Sequence, residues 1–262
     1  MVLIRRSIRP ISTDCTKIIL KQIEECVCQV TSNIKESQKG TAFFCKIPIG
    51  NKNVPVMISC DFIFSNFEQS DYINLLYNGE TKKLNLNEDR EIYLDKNLQI
   101  LIIEILPDID NINVNSFLEM DLKCILEKDE NIYILQYFNE KPFISYGIIC
   151  EVVDGHTIIH YCSTEKGSSG SPILNLKNNK VVGVHLGSNI RGEFNLGTFL
   201  VYPIIDFINK YKNKYNDKDF TNLKLLSVGS YGDIYSAFSI KDKIEVYLKK
   251  INRKNEIKLP NK

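Results

Sequence analysis

Short apolar runs separated by polar turns recur along most of this 262-residue chain. Runs of strand length lie at 26–30, 39–45, 54–58, 72–77, 91–94, 99–105, 132–137, 143–153 and 157–162, mostly bounded by Gly, Asn, Asp or charged residues. Two more, Pro172-Ile-Leu-Asn and Val181-Val-Gly-Val-His-Leu-Gly187, flank a short polar turn and predict a hairpin. Helical spacing is confined to two places. Asp14–Gln22, with Ile18, Ile19 and Ile23, predicts one short helix leading into the first strand, and Pro203–Tyr211, with Ile204, Ile205, Phe207 and Ile208, predicts a closing helix. Many short strands and few helices predict a mostly β chain, a sandwich or a barrel.

Composition narrows the class without choosing a function. Apolar residues make up 44% and charged residues 25%, as in a soluble globular protein. The net charge of +1 gives no general reason to expect nucleic acid or membrane as a partner. Residues 207–262 are locally basic, with 13 Lys/Arg against 6 Asp/Glu, which reads as a solvated tail or linker. Arg5 and Arg6 interrupt the opening apolar residues, so no signal peptide is expected, and no run approaches the roughly 20 apolar residues of a membrane span. The eight cysteines fall mostly inside apolar strands, which predicts reduced, buried thiols in a cytoplasmic protein. Cys26-Val-Cys28 would put two sulfurs on one face of a strand, but no matching His or Cys pair follows, so no metal is expected.

The chemistry concentrates in Gly167-Ser168-Ser169-Gly170-Ser171-Pro172. Flanking glycines allow a tight turn that exposes one hydroxyl and aims successive N–H groups at one point, as a serine nucleophile with an oxyanion hole requires. Gly, Ser and Pro are also the residues of an ordinary surface turn. With the two strands that follow, the segment resembles the nucleophile region of trypsin-like peptidases of the chymotrypsin fold, particularly the glutamyl-endopeptidase branch, with its G-x-S-G-S-P and a strand ending in I-H. Lys39-Gly-Thr-Ala-Phe-Phe-Cys45 resembles the G-T-G-F-F strand of that family, with Ala42 in place of the second glycine. The resemblance covers about residues 20–208. It implies two six-stranded antiparallel β-barrels with a C-terminal helix, Ser169 as nucleophile, Gly167 and Ser169 N–H groups as oxyanion hole, and Thr164 and His185 lining a pocket for an acidic side chain.

The same resemblance implies that the nucleophile's partners are gone. A serine hydroxyl needs a neighbouring base, usually a His oriented by a carboxylate. The family's histidine follows the third strand; here that stretch is Pro55-Val-Met-Ile-Ser-Cys-Asp61-Phe62, which places Phe62 at the histidine position, or Asp61 after a one-residue slip. Gln99-Ile-Leu-Ile-Ile-Glu-Ile105 places Gln99 where the family has its aspartate. The three histidines, His156, His160 and His185, all fall in the second barrel, with His156 in an Asp-Gly-His turn expected to be exposed.

After a charged, Asn-rich linker at 213–222, Leu225-Leu-Ser227-Val-Gly229-Ser-Tyr-Gly232-Asp-Ile234-Tyr resembles the glycine-rich loop of protein kinases. Ser227 stands at its first glycine and Ile234 at its valine, and Val246-Tyr-Leu-Lys249 resembles the strand whose lysine contacts ATP phosphates. This implies a leader at 1–14, a peptidase-fold domain at 15–212 and a kinase N-lobe fragment at 223–262 with a vestigial ATP site at Ser227, Gly229, Gly232, Ile234 and Lys249. No H-R-D or D-F-G segment follows, so the sequence reads as a truncated product or a piece of a longer kinase-linked protein.

The expected function is therefore a peptidase-like domain that has lost proteolysis and serves as a binding or regulatory module. Its expected partners are peptides or proteins with acidic side chains and, in a longer form, the rest of a kinase domain. No cofactor is expected for the peptidase-like part, and ATP only for a full-length kinase form. The alternatives are an active serine endopeptidase with an acidic preference and an unrecognised base, or an ATP-binding kinase-related protein.

Overall fold

A computed structural model describes residues 10–32, 38–49, 52–61, 72–86, 90–211, 220–228, 233–239 and 244–250. The chain opens with helix α1 (Thr13–Cys26), whose Ile19, Ile23 and Cys26 recur at helical spacing and are buried, and whose first turn is capped by the Ser12 hydroxyl accepting from the Cys15 N–H at 3.2 Å. The helix is longer at its C-terminal end than the periodicity predicts. Consequently Cys26 ends the helix, Cys28 lies in β1, and the two sulfurs enter different hydrophobic clusters rather than sharing a strand face.

Strands β1 (Val27–Ser32), β2 (Lys39–Ile49), β3 (Lys52–Cys60), β4 (Tyr72–Tyr77), β5 (Glu80–Asn85), β6 (Ile92–Asp95) and β7 (Ile100–Glu104) form one antiparallel sheet in the order β5-β4-β1-β2-β3-β7-β6. Alternate residues of these strands enter two cores. Phe43, Cys45, Ile47, Ile58, Ile100 and Ile102 join the core shared with the second half, while Phe44, Met57, Leu101 and Ile103 pack on the opposite face with Phe117. A sheet buried on both faces needs apolar residues at consecutive positions, which is why these strands read as continuous runs.

Strands β8 (Asn131–Phe138), β9 (Lys141–Val153), β10 (Thr157–His160), β11 (Pro172–Asn175), β12 (Lys180–Ser188) and β13 (Asn195–Phe199) close into a six-stranded antiparallel barrel in the order β10-β13-β12-β11-β8-β9. The expectation of two six-stranded barrels is thus met by one closed barrel and one seven-stranded sheet. Helix α3 (Val201–Tyr211) follows and buries Val201, Tyr202, Ile204, Ile205 and Phe207. A short helix α2 (Pro107–Asp110) begins the connection between the halves. There Asp110 receives both Arg90 guanidinium nitrogens at 2.9 Å, each side chain being almost wholly buried.

The halves are laced together by backbone. Leu118 exchanges hydrogen bonds with β2, through Lys46 N–H to Leu118 O at 3.2 Å and Leu118 N–H to Phe44 O at 3.0 Å. One and three residues on, Glu119 and Asp121 exchange bonds of 2.9 Å with Val181 of β12. Helix α1 spans the same seam, its Gln22 accepting from the Tyr133 hydroxyl at 2.6 Å and its Glu25 carbonyl accepting from the Tyr77 hydroxyl at 2.8 Å. A third sheet, β14 (Phe220–Ser227), β15 (Asp233–Ser239) and β16 (Ile244–Lys250), is antiparallel in sequence order. Its Ile234, Leu226 and Tyr247 pack into the shared core, and Lys123 pairs with Glu245 at 3.0 Å. Among the described residues no helix is long and apolar enough to cross a membrane.

Candidate functional site

The loop 165–171 lies between β10 and β11 and, among the described residues, is hydrogen-bonded to the first sheet through Thr41 of β2. Thr41 N–H donates to Ser169 O at 2.8 Å and Thr41 Oγ1 donates to Gly167 O at 2.9 Å. That hydroxyl also accepts the Tyr137 N–H at 3.0 Å, and the Thr41 carbonyl accepts from Ser59 Oγ at 2.8 Å. The glycines of the motif have separate reasons. Gly170, at φ +91°, sits so close to Thr41 O and Ser59 Oγ that any Cβ would overlap both. Gly167, at φ +109°, adopts a backbone that side chains resist.

Within the loop the N–H groups alternate between use and availability. Ser168 N–H donates to Glu165 O at 3.0 Å and Gly170 N–H to His185 O at 2.7 Å. Among the described residues nothing accepts from the N–H of Gly167 or Ser169, or bonds the Ser169 hydroxyl. Ser168 is not available as a nucleophile, because its buried hydroxyl donates to Glu165 O and accepts from Glu165 N–H at 3.0 Å. Ser171 is likewise committed, to Ser168 O at 2.5 Å.

An open cleft of about 940 Å³ brings Gly167, Ser169, Thr164 and His185 together, with Lys166 and the Lys39–Glu140 ion pair (2.8 Å) on its walls. On the first-sheet side, the Asp61 N–H donates to Gln99 O at 3.1 Å, joining the two stretches that the family resemblance assigns to His and Asp. Gln99 is exposed in the turn between β6 and β7, at φ +56°, and not on the predicted strand. Phe62 lies outside the described residues.

The histidines form an arrangement that the sequence did not disclose. His160 of β10 and His185 of β12 reach each other across β13, Nε2 to Nδ1 at 3.3 Å, with ring planes at 72°. Both are almost fully buried. Burial, with its His185 neighbour, pushes His160 down to about 3; burial pushes His185 down to about 4 against a small opposing effect of the Leu196 backbone. Both rings are accordingly neutral at physiological pH. The Cys162 N–H donates to His160 Nδ1 at 3.3 Å. Asn195 of β13 ties the next residues down, donating through Nδ2 to Cys162 O at 2.6 Å and accepting from Thr164 Oγ1 at 3.0 Å. His156 stands apart in the β9–β10 turn, half-buried rather than open, its Nδ1 2.9 Å from Asp154 O.

None of the eight cysteines is disulfide-bonded. Burial pushes the thiols of Cys26 and Cys124 up to about 12 and those of Cys28, Cys45 and Cys162 higher, so none of these five is a thiolate nucleophile at neutral pH. Among the described residues no three His, Cys, Asp or Glu side chains are grouped to hold a metal. Of the kinase-like residues, Ser227 lies at the end of β14 and Ile234 in β15, whereas Gly229, Gly232 and the Lys249 side chain lie outside the described residues.

A closed barrel, a partner sheet and a cleft between them holding a glycine-bracketed serine define the chymotrypsin-type fold. Residues 41–184, more than half the chain, match the model of the trypsin-like peptidase domain, and the chain belongs to that family. Among solved structures it is similar to the active form of the Rv3671c protease from Mycobacterium tuberculosis, at 14% identity and a TM-score of 0.57, covering 79% of this chain and 94% of that one. It is also similar to catalytically active tobacco etch virus protease complexed with product, at 16% identity and a TM-score of 0.52, covering 68% and 74% respectively. At these identities the likeness concerns the fold.

Proposed function

We propose that this chain holds peptide in the cleft beside Ser169 without hydrolysing it, as a binding module. The observation that carries this reading is the placement of the imidazoles. His160 and His185 are committed to each other inside the barrel and His156 to a turn. The family resemblance puts Phe62, or Asp61 after a one-residue slip, at the histidine position and the exposed Gln99 at the aspartate position, and none of these is an imidazole. A serine hydroxyl with no base to take its proton is a poor nucleophile, and an oxyanion hole alone gives only about 10³–10⁴-fold acceleration over water. The open N–H groups of Gly167 and Ser169 still suit a peptide carbonyl, and the Thr41 bonds support the loop that presents them.

A fluorophosphonate probe tests the loss of hydrolysis. The expected result is no labelling of Ser169 over hours under conditions that label an active trypsin-like enzyme within minutes. Rapid labelling at Ser169 would overturn the reading in favour of an active peptidase with an unrecognised base.

The reading extends to the C-terminal sheet, taken as the opening strands of a kinase N-lobe, so that the cleft senses or docks a peptide for a kinase-linked protein. Its support is the antiparallel order β14-β15-β16, with Ile234 directly opposite Lys249. The residues that would transfer phosphate are not in this sequence, and no such activity is assigned to it.

A further inference from the structure

Gln29, in the middle of β1, lines the cleft at only 4% exposure. In the two antiparallel pairings of β1 it stands directly opposite Thr41 of β2 on one side and Leu76 of β4 on the other. Opposed residues carry their side chains on one face of a sheet, so the Gln29 carboxamide lies between these two side chains. Neither satisfies it. Leu76 has no polar side-chain atom, and the Thr41 hydroxyl gives its hydrogen to Gly167 O and accepts the Tyr137 N–H. Among the described residues nothing donates to or accepts from the Gln29 carboxamide. A buried amide without partners is destabilising, and one held at the wall of a cleft points to a partner from outside the chain.

The chemistry of that partner follows from the groups on this face. Lys39, two residues before Thr41 on β2, is the diagonal neighbour of Gln29, and its ammonium meets Glu140 of the β8–β9 turn at 2.8 Å. The two charges offset each other, so neither sign is favoured there. Gln29 itself offers one acceptor, Oε1, and the two donors of its Nε2. A carboxylate would set lone pairs against Oε1, and an ammonium would set hydrogens against Nε2. In an extended chain the N–H and C=O of one residue point the same way, and together they match both atoms.

We infer that Gln29 is a main-chain clamp of the cleft, its carboxamide pairing with the N–H and C=O of one residue of an extended peptide. The inference rests on the reading that the cleft holds peptide. Thr41 sets the spacing, because its N–H holds Ser169 O at 2.8 Å and Gln29 is its neighbour one strand further on. Strands lie about 4.8 Å apart and an extended chain advances about 3.3 Å per residue, which puts the clamped residue about two or three positions from the carbonyl seated at the Gly167 and Ser169 N–H groups. The clamp grips main chain, so it adds affinity for extended peptide without selecting a side chain.

The test uses the full chain and an acetylated octapeptide library of mixed sequence, whose best-bound member is resynthesised with an ester in place of each amide in turn. Titrations at pH 7.5 by fluorescence anisotropy compare the parent with Gln29→Met, which keeps the length of the side chain and removes its amide. Gln29→Met should weaken the all-amide peptide about five- to tenfold, as loss of one hydrogen bond to a buried group does. One ester in the series should weaken binding to the parent by a similar factor, and to Gln29→Met by about twofold or less, since the bond it deletes is already gone. The free variant should unfold at the parent's urea midpoint or above it, because the amide it removes has no partner in the free chain. Equal binding of the all-amide peptide by the two proteins overturns the inference and leaves peptide binding standing, as does an ester series identical in both. Binding of no library member overturns both readings. The parent alone gives an independent measurement that does not depend on the variant folding: the Gln29 side-chain NH₂ signals in proton–nitrogen spectra should shift when the peptide is added, and unmoved signals overturn the inference.

Discussion

The Thr41 N–H donates to the Ser169 carbonyl over 2.8 Å, so the backbone of the candidate nucleophile in one half of the molecule is held by a strand of the other. The Thr41 hydroxyl bonds Gly167 O and Tyr137 N–H in addition, which makes this one side chain the junction of loop, barrel and sheet. Thr41→Val keeps the shape and removes both side-chain bonds, leaving a buried carbonyl and a buried N–H unpaired. A loss of about 2–3 kcal/mol is expected, with Thr41→Ser close to the parent, as read from urea unfolding midpoints.

Gly170→Ala should be worse. Its Cβ would overlap Thr41 O and Ser59 Oγ, and its φ of +91° is unfavourable to any side chain. Neither oxygen is the mobile end of a long chain, so the loop must move away from β2. The expected cost is about 3 kcal/mol or more, while Gly192→Ala, where a Cβ meets nothing, should cost about 1 kcal/mol from its positive φ alone. Equal thermal shifts for the two variants would contradict this account.

Much of this architecture is readable in the sequence because the strands are buried on two faces and advertise themselves as apolar runs. β5 escapes that rule, since in Glu80–Asn85 only Leu84 is buried, and β13 escapes it through its length and Gly197. The serine loop is legible because unusual backbone demands glycine. The hydrogen-bond arrangement beside it is not, because it joins residues 25 and 31 positions apart: His160 with His185 across β13, and Thr164 with Asn195 of β13 itself. Each looks in sequence like an ordinary polar residue; only the barrel's closure in the order β10-β13-β12 makes them neighbours.

The Arg90–Asp110 pair gives a third stability prediction. Asp110 also accepts the Leu106 N–H at 2.7 Å, and Arg90 donates to Glu104 O at 2.8 Å, so the pair pins the start of the inter-barrel connection to β7. Asp110→Ala would leave a guanidinium buried without its counter-charge. A loss of about 3–5 kcal/mol is expected, whereas replacing both residues by apolar ones should recover most of it, a comparison that guanidine unfolding can make.

Acid should loosen the barrel through the histidine pair. Their folded pKa values, about 3 and about 4, lie below the ordinary value of about 6.5 expected in the unfolded chain. Above pH about 6.5 both states are neutral and the pair costs nothing. As pH falls the unfolded chain binds protons that the folded one refuses, so stability drops by up to about 1.4 kcal/mol per pH unit for each ring, until the folded values are reached. Urea midpoints measured from pH 7.5 to 5.0 should fall less steeply in His160→Gln, which has one such group fewer; identical slopes would contradict the assignment.

Ile234 decides between two roles for the third sheet. In the glycine-loop resemblance its side chain would cover a nucleotide, yet here it is fully buried in the core shared with the barrel. Leu226 and Tyr247 pack on the same core, so covering a base and docking the sheet compete for one surface. Docking holds the side chain in apolar surroundings at no cost to the chain, whereas a nucleotide would have to draw the sheet off the barrel first. The full chain should therefore show no micromolar binding of a fluorescent ATP analogue, and Ile234→Ala should cost about 2–4 kcal/mol as a core truncation does. Micromolar binding accompanied by a near-neutral Ile234→Ala would show that the sheet is free and the nucleotide surface open.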